Sequence, residues 1–428
     1  MDWYSEDFDF FNPNGGFFEI IANIVLLLSL SLIFLEITLL YIGKNSVSAN
    51  RKLAEQLSLG DDNKVTIKLH NHYPFKIKVS VIDELPYQLQ IRDFNFETEL
   101  ESKQEKEFSF YIHPTKRGAY NFGKINIFVS SVLGLMERRI QIDVDSTFRV
   151  YPSILQMKKY ELQVFSKTAI FSGIKKVRRI GNNNEFEQIK NYVQGDDIRT
   201  INWKATSRKS ELMVNQYQEE RSQQVYCIID KSRTMRMPFD GLTLLDHAIN
   251  STLALSNIIL KKGDKAGMIT FSDKLGAKIP AERNASQLRR ILETLYNQKT
   301  QFLEANFERL YYGTRQVVKG RSMIMLYTNF ESMYALKRNI ALLRKINQQH
   351  LLVVIFFENN ELNDDVEKDA NSISEIYQQT ITKKMIIEKK QIAFELRKYG
   401  IQSILTKPNE LTTDSINKYL ELKSRGMI

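Results

Sequence analysis

Hydrophobic and polar positions change their rhythm three times along the 428-residue chain. From Phe17 to Ile42 nearly every position is apolar, and only Glu19 and Glu36 carry a charge at neutral pH. At about 1.5 Å per residue these 26 positions reach about 39 Å as a helix, enough to cross a hydrocarbon core of about 30 Å. The run is too long for a signal-peptide core, and no basic region precedes it. Residues 17–42 are therefore expected to be a transmembrane helix, with 1–16 as an acidic extracytoplasmic segment and 43–60 as a juxtamembrane linker. Lys44, Arg51 and Lys52 follow the helix, which places the bulk of the chain in the cytosol by the positive-inside rule.

Over residues 61–152 the period is two. Lys64-Val65-Thr66-Ile67-Lys68-Leu69 alternates as a half-buried strand does. Similar runs recur at 76–81, 106–112, 125–129 and 148–151, with turn signals at Tyr73-Pro74 and His113-Pro114, which predicts a small β-sandwich. From residue 225 onward, apolar runs of strand length alternate with helix-length amphipathic stretches. Val225–Ile229, Ala266–Phe271, Ser322–Tyr327, His350–Phe357 and Ile401–Leu405 are the strands, with a hairpin from the second to Ala277-Lys278-Ile279, and the longest helix is read over 373–398. That alternation predicts an α/β domain over 225–428 with a doubly wound, mainly parallel sheet. Residues 153–224 join the two as a connector.

Composition narrows the function. The formal net charge of +10 is spread along the chain and suits contact with anionic headgroups, but it does not mark a nucleic-acid binder. The basic run Lys175–Arg179 lacks the interleaved aromatics of a single-strand binder, so no nucleic-acid partner is expected. A single cysteine, Cys227, fits a reducing compartment. No Gly-x-Gly-x-x-Gly follows the first strand of the α/β domain, and Gly-x-x-x-x-Gly-Lys-Ser/Thr is absent from the chain.

Candidate chemistry gathers at two places. The first α/β strand ends in Asp230, followed by Ser232 and Thr234, a carboxylate and two hydroxyls at alternate positions. Ligands of open α/β sheets sit outside the carboxyl ends of the strands, and Mg²⁺ takes oxygen ligands with one or two carboxylates. The loop thus reads either as a metal-ion-dependent adhesion site or as an ordinary capped turn. The connector holds Gly195-Asp196-Asp197-Ile198-Arg199, then Trp203, Lys204 and Arg208. Ion pairing is expected among Asp196, Asp197, Arg199 and Arg208, with Trp203 packing over the junction.

Three stretches resemble a known family, the von Willebrand factor type A-like membrane proteins catalogued as domain of unknown function 58. They are Pro114–Tyr120 with Gly134-Leu135-Met136 and Val150-Tyr151-Pro152; Tyr192–Arg199 through Trp203-Lys204-Ala205 and Arg208; and Asp230–Met235. The resemblance implies a membrane-anchored, non-catalytic scaffold working with a MoxR-type AAA+ ATPase or an envelope complex at the cytoplasmic membrane. Members commonly have two N-terminal membrane helices; one is found here. In type A domains with a working metal site a later strand ends in aspartate, whereas Asn329 stands here, with Thr300 as the middle-loop threonine. The expected set for Mg²⁺ is therefore Asp230, Ser232, Thr234, Thr300 and Asn329. The alternative is a metal-dependent hydrolase using Asp230 with Asp196 or Asp197.

Overall fold

The computed structural model describes residues 17–41, 46–92, 94–144, 146–165, 185–193, 196, 198, 201–218, 222–358 and 372–427. Two compact units divide the chain, 1–150 and 151–428.

In the first unit the apolar run forms α1 (Phe17–Tyr41), a helix long and apolar enough to cross a membrane. Ten strands follow: β1 (Val47–Lys52), β2 (Gln56–Ser58), β3 (Asn63–Asn71), β4 (Ile77–Asp83), β5 (Phe96–Leu100), β6 (Glu105–Ile112), β7 (Gly118–Phe122), β8 (Ile125–Ser130), β9 (Glu137–Ile142) and β10 (Ser146–Tyr151). They assemble as β1-β3-β6, β5-β4-β8-β9 and β2-β10-β7, with antiparallel pairing throughout the first two sheets. The alternating apolar side chains of β3, β4 and β8, among them Ile67, Leu69, Val79, Val81, Ile127 and Val129, form one core. Leu40 of α1 is part of it.

Residues 43–60, expected as a linker, carry β1 and β2. The inward positions of β1 are Val47, Ala49 and Arg51, and a charge at the third hides the period of two. Arg51 is not a free surface charge, as the orientation rule took it to be. Its guanidinium pairs with Asp83 of β4, with both side chains fully buried, and donates to Gly123 O at 2.8 Å and Val144 O at 3.2 Å. Burial pushes the Asp83 carboxyl up, and this outweighs the opposing pull of Arg51.

The second unit opens with α2 (Ile154–Phe165), the β11 (Glu185–Asn191)–β12 (Met213–Gln218) hairpin and the intervening α3 (Trp203–Lys209). There follow β13 (Gln224–Asp230), the short β14 (Pro238–Phe239) and β15 (Leu242–Thr243), α4 (Leu244–Lys261), β16 (Lys265–Phe271), β17 (Leu275–Glu282), α5 (Gln287–Tyr296), α6 (Phe307–Val317), β18 (Met323–Tyr327), α7 (Met333–Gln349), β19 (Leu351–Phe357), α8 (Ile373–Lys398), β20 (Gln402–Thr406) and α9 (Leu411–Ser424). Six strands form a mixed sheet in the order β17-β16-β13-β18-β19-β20, parallel except for the edge strand β17.

Each face of this sheet has its own core. Val225, Cys227 and Ile229 point to a cluster with residues of α4 and α9, and Tyr226 and Ile228 to one with residues of α6, α7 and α8. Burial on both faces is why these strands read as continuous apolar runs. Ile154, Met157, Tyr160 and Val164 of α2 also pack on the first cluster, so this part of the expected connector belongs to the α/β unit. Chain order reverses about β13: β16 lies on one side and β18 on the other. The carboxyl end of β13 is thus a topological switch point, where a crevice opens because the connections leave to opposite sides.

Candidate functional site at the carboxyl edge of the sheet

Asp230 ends β13 and is completely buried. Its Oδ1 accepts from the Ser232 backbone N at 2.8 Å, and its Oδ2 accepts from Thr328 Oγ1 at 2.7 Å. The first bond is an Asx turn, which folds the loop back over the strand end. Ser232 Oγ and Thr234 Oγ1 are 3.0 Å apart. Asn329 reaches Thr234 O with its Nδ2 at 3.4 Å. Lys389 of α8 then donates to Asn329 Oδ1 at 2.6 Å and to Phe330 O at 2.5 Å. A third loop joins them: Gln301 N donates to Lys231 O at 2.7 Å, and Arg233 N to Leu303 O at 3.1 Å.

Asp230, Ser232, Thr234 and Asn329 therefore lie in one hydrogen-bonded cluster. Thr300 lies next to Gln301 in the adjoining loop, but it lines neither cavity described below. Asp230 does not present an open carboxylate: the turn and the Thr328 hydroxyl enclose it. Thr328 and Lys389 were not anticipated. Thr328 has a local signal, since it directly follows a buried strand; Lys389 is 60 residues from Asn329 and has none.

Burial drives the electrostatics. It pushes the Asp230 carboxyl up, against the pull of the Ser232 N–H and the Thr328 hydroxyl. Lys389 is only partly covered as a residue, yet its ammonium is enclosed. Burial lowers its pKa to about 8, outweighing the opposing charges of Glu331 and Glu388. A divalent cation does not fit this arrangement as it stands. Asp230 is its single carboxylate and already accepts from two donors, and the amide oxygen of Asn329 faces an ammonium rather than open space. Among the described residues no three His, Cys, Asp or Glu side chains converge.

Two cavities adjoin the loop. One, of about 360 Å³, has apolar walls from Met237, Phe239, Leu244, Phe357, Met385 and Ile386, with Arg233, Glu331, Glu358 and Lys389 also lining it. The other, of about 190 Å³, lies above Asp230 and Thr328 between Phe307, Phe330, Tyr334 and Arg338. An apolar cavity with a few convergent polar groups is the usual form of a binding site.

In the connector, Gly195, Asp197 and Arg199 lie outside the described residues. Asp196 accepts from Lys190 Nζ and from the Val193 backbone N, both at 3.0 Å. The Val193 bond and then Lys190 hold its carboxyl below the usual range. Lys190 thus takes the place expected for Arg208, because it is only six residues away on β11. Arg208 and Lys204 are exposed, and among the described residues Arg208 makes no ion pair. Trp203 does not pack over a junction: it is 69% exposed at the start of α3, where Asn202 caps the helix through Ala205 N. Asp196 lines neither cavity.

Residues 188–366 match the family described as Protein of unknown function DUF58. "Uncharacterized protein YeaD" of Bacillus subtilis (strain 168) is 25% identical over 233 residues, 53% of this chain and 56% of that protein. The alignment thus spans little more than half the length of the relative. Among solved structures, conserved hypothetical protein BatB from Bacteroides thetaiotaomicron is 12% identical, with 48% of this chain and 100% of that chain covered and a TM-score of 0.34. Proximal thread matrix protein 1 from the mussel byssus is also 12% identical, over 47% and 46%, at a TM-score of 0.29.

Proposed function

We propose that the chain is a membrane-anchored interaction protein whose α/β unit docks a cytosolic partner at the carboxyl edge of its sheet. The observation that carries this reading is the apolar cavity at the switch point, with Arg233 and Lys389 in its lining. Apolar walls supply affinity and the few charged groups fix orientation, which is how a partner's anchoring side chain is received. The Asp-x-Ser-x-Thr loop and the strand order favour a von Willebrand type A-like domain, working without metal because Lys389 occupies the amide end of the site. The family resemblance suggests a MoxR-type AAA+ ATPase as the partner. Length and apolarity of α1 favour a single-pass anchor. With Arg51 consumed by Asp83, the orientation rests on Lys44, Lys52 and the acidic residues 1–16, which favour a cytosolic α/β unit.

The reading is tested by capture from detergent-solubilised membranes. Wild-type protein is expected to retain the ATPase, and Met385→Asp to lose it. Met385 is 51% exposed, so a charge there alters the cavity wall without entering the core. Equal retention by both forms would refute the cavity as the docking surface.

A further inference from the structure

The C-terminal end of α1 is not a bare helix end. Glu36 lies five residues before Tyr41 in an otherwise apolar run, yet it is completely buried. One carboxylate oxygen accepts from Ser131 Oγ, and the other from the backbone N–H of Leu135 at 3.0 Å and of Met136 at 3.1 Å. All three donors belong to the loop joining β8 to β9. Gly134 sits in that loop at φ +68°, a left-handed turn that glycine adopts without strain. The helix end is tied as well: Leu40 O accepts from Tyr73 Oη at 2.6 Å and from Arg138, whose guanidinium stacks on Tyr41 at 4.7 Å.

The outward side chains of this loop are all apolar. Val132, Leu133, Leu135 and Met136 are 65%, 56%, 50% and 37% exposed. Glu36 lies about 7–8 Å along the axis from Tyr41, and a loop bonded to it shares that depth. Such a patch is unfavourable in water and favourable within the interfacial layer of a bilayer. Backbone polar groups at that depth need internal partners. Here Glu36 takes the N–H groups of Leu135 and Met136, and Ser131 Oγ takes that of Leu133 at 3.1 Å. The Arg138–Tyr41 stack then falls at headgroup level, where aromatic and basic side chains collect.

We propose that residues 132–136 are immersed in the lipid interface beside α1, so that helix and hairpin enter the bilayer together and Glu36 is the lock between them. This rests on the membrane-anchored reading of α1. The test uses the full chain in phosphatidylcholine–phosphatidylglycerol liposomes, with one environment-sensitive fluorophore per protein. Native Cys227 is fully buried and its thiol is pushed up to about 12, so it stays unlabelled. Labels go to Leu133→Cys, to Leu28→Cys on α1 and to Tyr111→Cys, which pairs with Lys64 at the end of β3 far from Tyr73. Leu135→Cys repeats the loop measurement should Leu133→Cys not fold. Nitroxide lipids are expected to quench the labels at 28 and 133 by about two-fold or more, and to leave 111 unquenched. Quenching at 28 with 133 behaving like 111 would overturn the loop immersion and leave the anchor standing. No quenching at 28 would remove the anchor, and this proposal with it.

Discussion

Asp230 is a fully enclosed carboxylate with two donors and no cation bonded to it among the described residues, so its roles separate by substitution. Asp230→Ala leaves the Ser232 N–H and the Thr328 hydroxyl without an acceptor, at a cost of about 2–4 kcal/mol. Asp230→Asn keeps an acceptor and the volume, and is expected to lose less than half of that; urea denaturation of the α/β unit in the intact protein measures both. The pH dependence has a definite sign. Burial raises the folded-state pKa above that of the unfolded chain. In the window between the two the folded state binds more protons, so this group's contribution to stability grows as pH falls through the folded-state pKa towards the unfolded value of about 4. That component should vanish in Asp230→Asn.

Lys389 runs the other way. Its folded value of about 8 lies below the ordinary lysine value. Between about 8 and about 10.4 the unfolded chain holds the extra proton, so stability from this group rises with pH through that window. Lys389→Met should flatten the rise, read as the urea midpoint against pH.

At the scale of elements, the α/β unit was largely legible and the β unit was not. Leu351–Phe357 is seven buried residues without a polar break, and the bounds of α8 at 373 and 398 agree with the amphipathic pattern. In the β unit β5, β7 and β9 escaped detection, since strands such as Glu137-Arg138-Arg139-Ile140-Gln141-Ile142 bury only part of one face. β1 was hidden because Arg51 occupies a core-facing position. Within the candidate site, Asp230, Ser232 and Thr234 were legible because one loop holds them; the contacts with Thr328 and Lys389 cross 98 and 60 residues and leave no local signature. The Arg51–Asp83 pair gives this scale its prediction. Removing one partner strands a buried charge, so Arg51→Met should destabilise the β unit by about 3–5 kcal/mol, and Arg51→Met with Asp83→Leu should recover much of it. Thermal unfolding followed by circular dichroism reads both.

At the scale of the whole molecule, one unit carries a helix long and apolar enough to cross a membrane, and the other presents a cavity at the switch point of its sheet. The most direct measurement titrates the purified MoxR-type ATPase of the same cell onto the full-length protein in lipid nanodiscs, with wild type and Met385→Asp side by side. The account predicts saturable binding to wild type, weakened at least about ten-fold by the substitution, equivalent to about 1.4 kcal/mol. Binding of equal strength to both forms, or none to wild type, would contradict it.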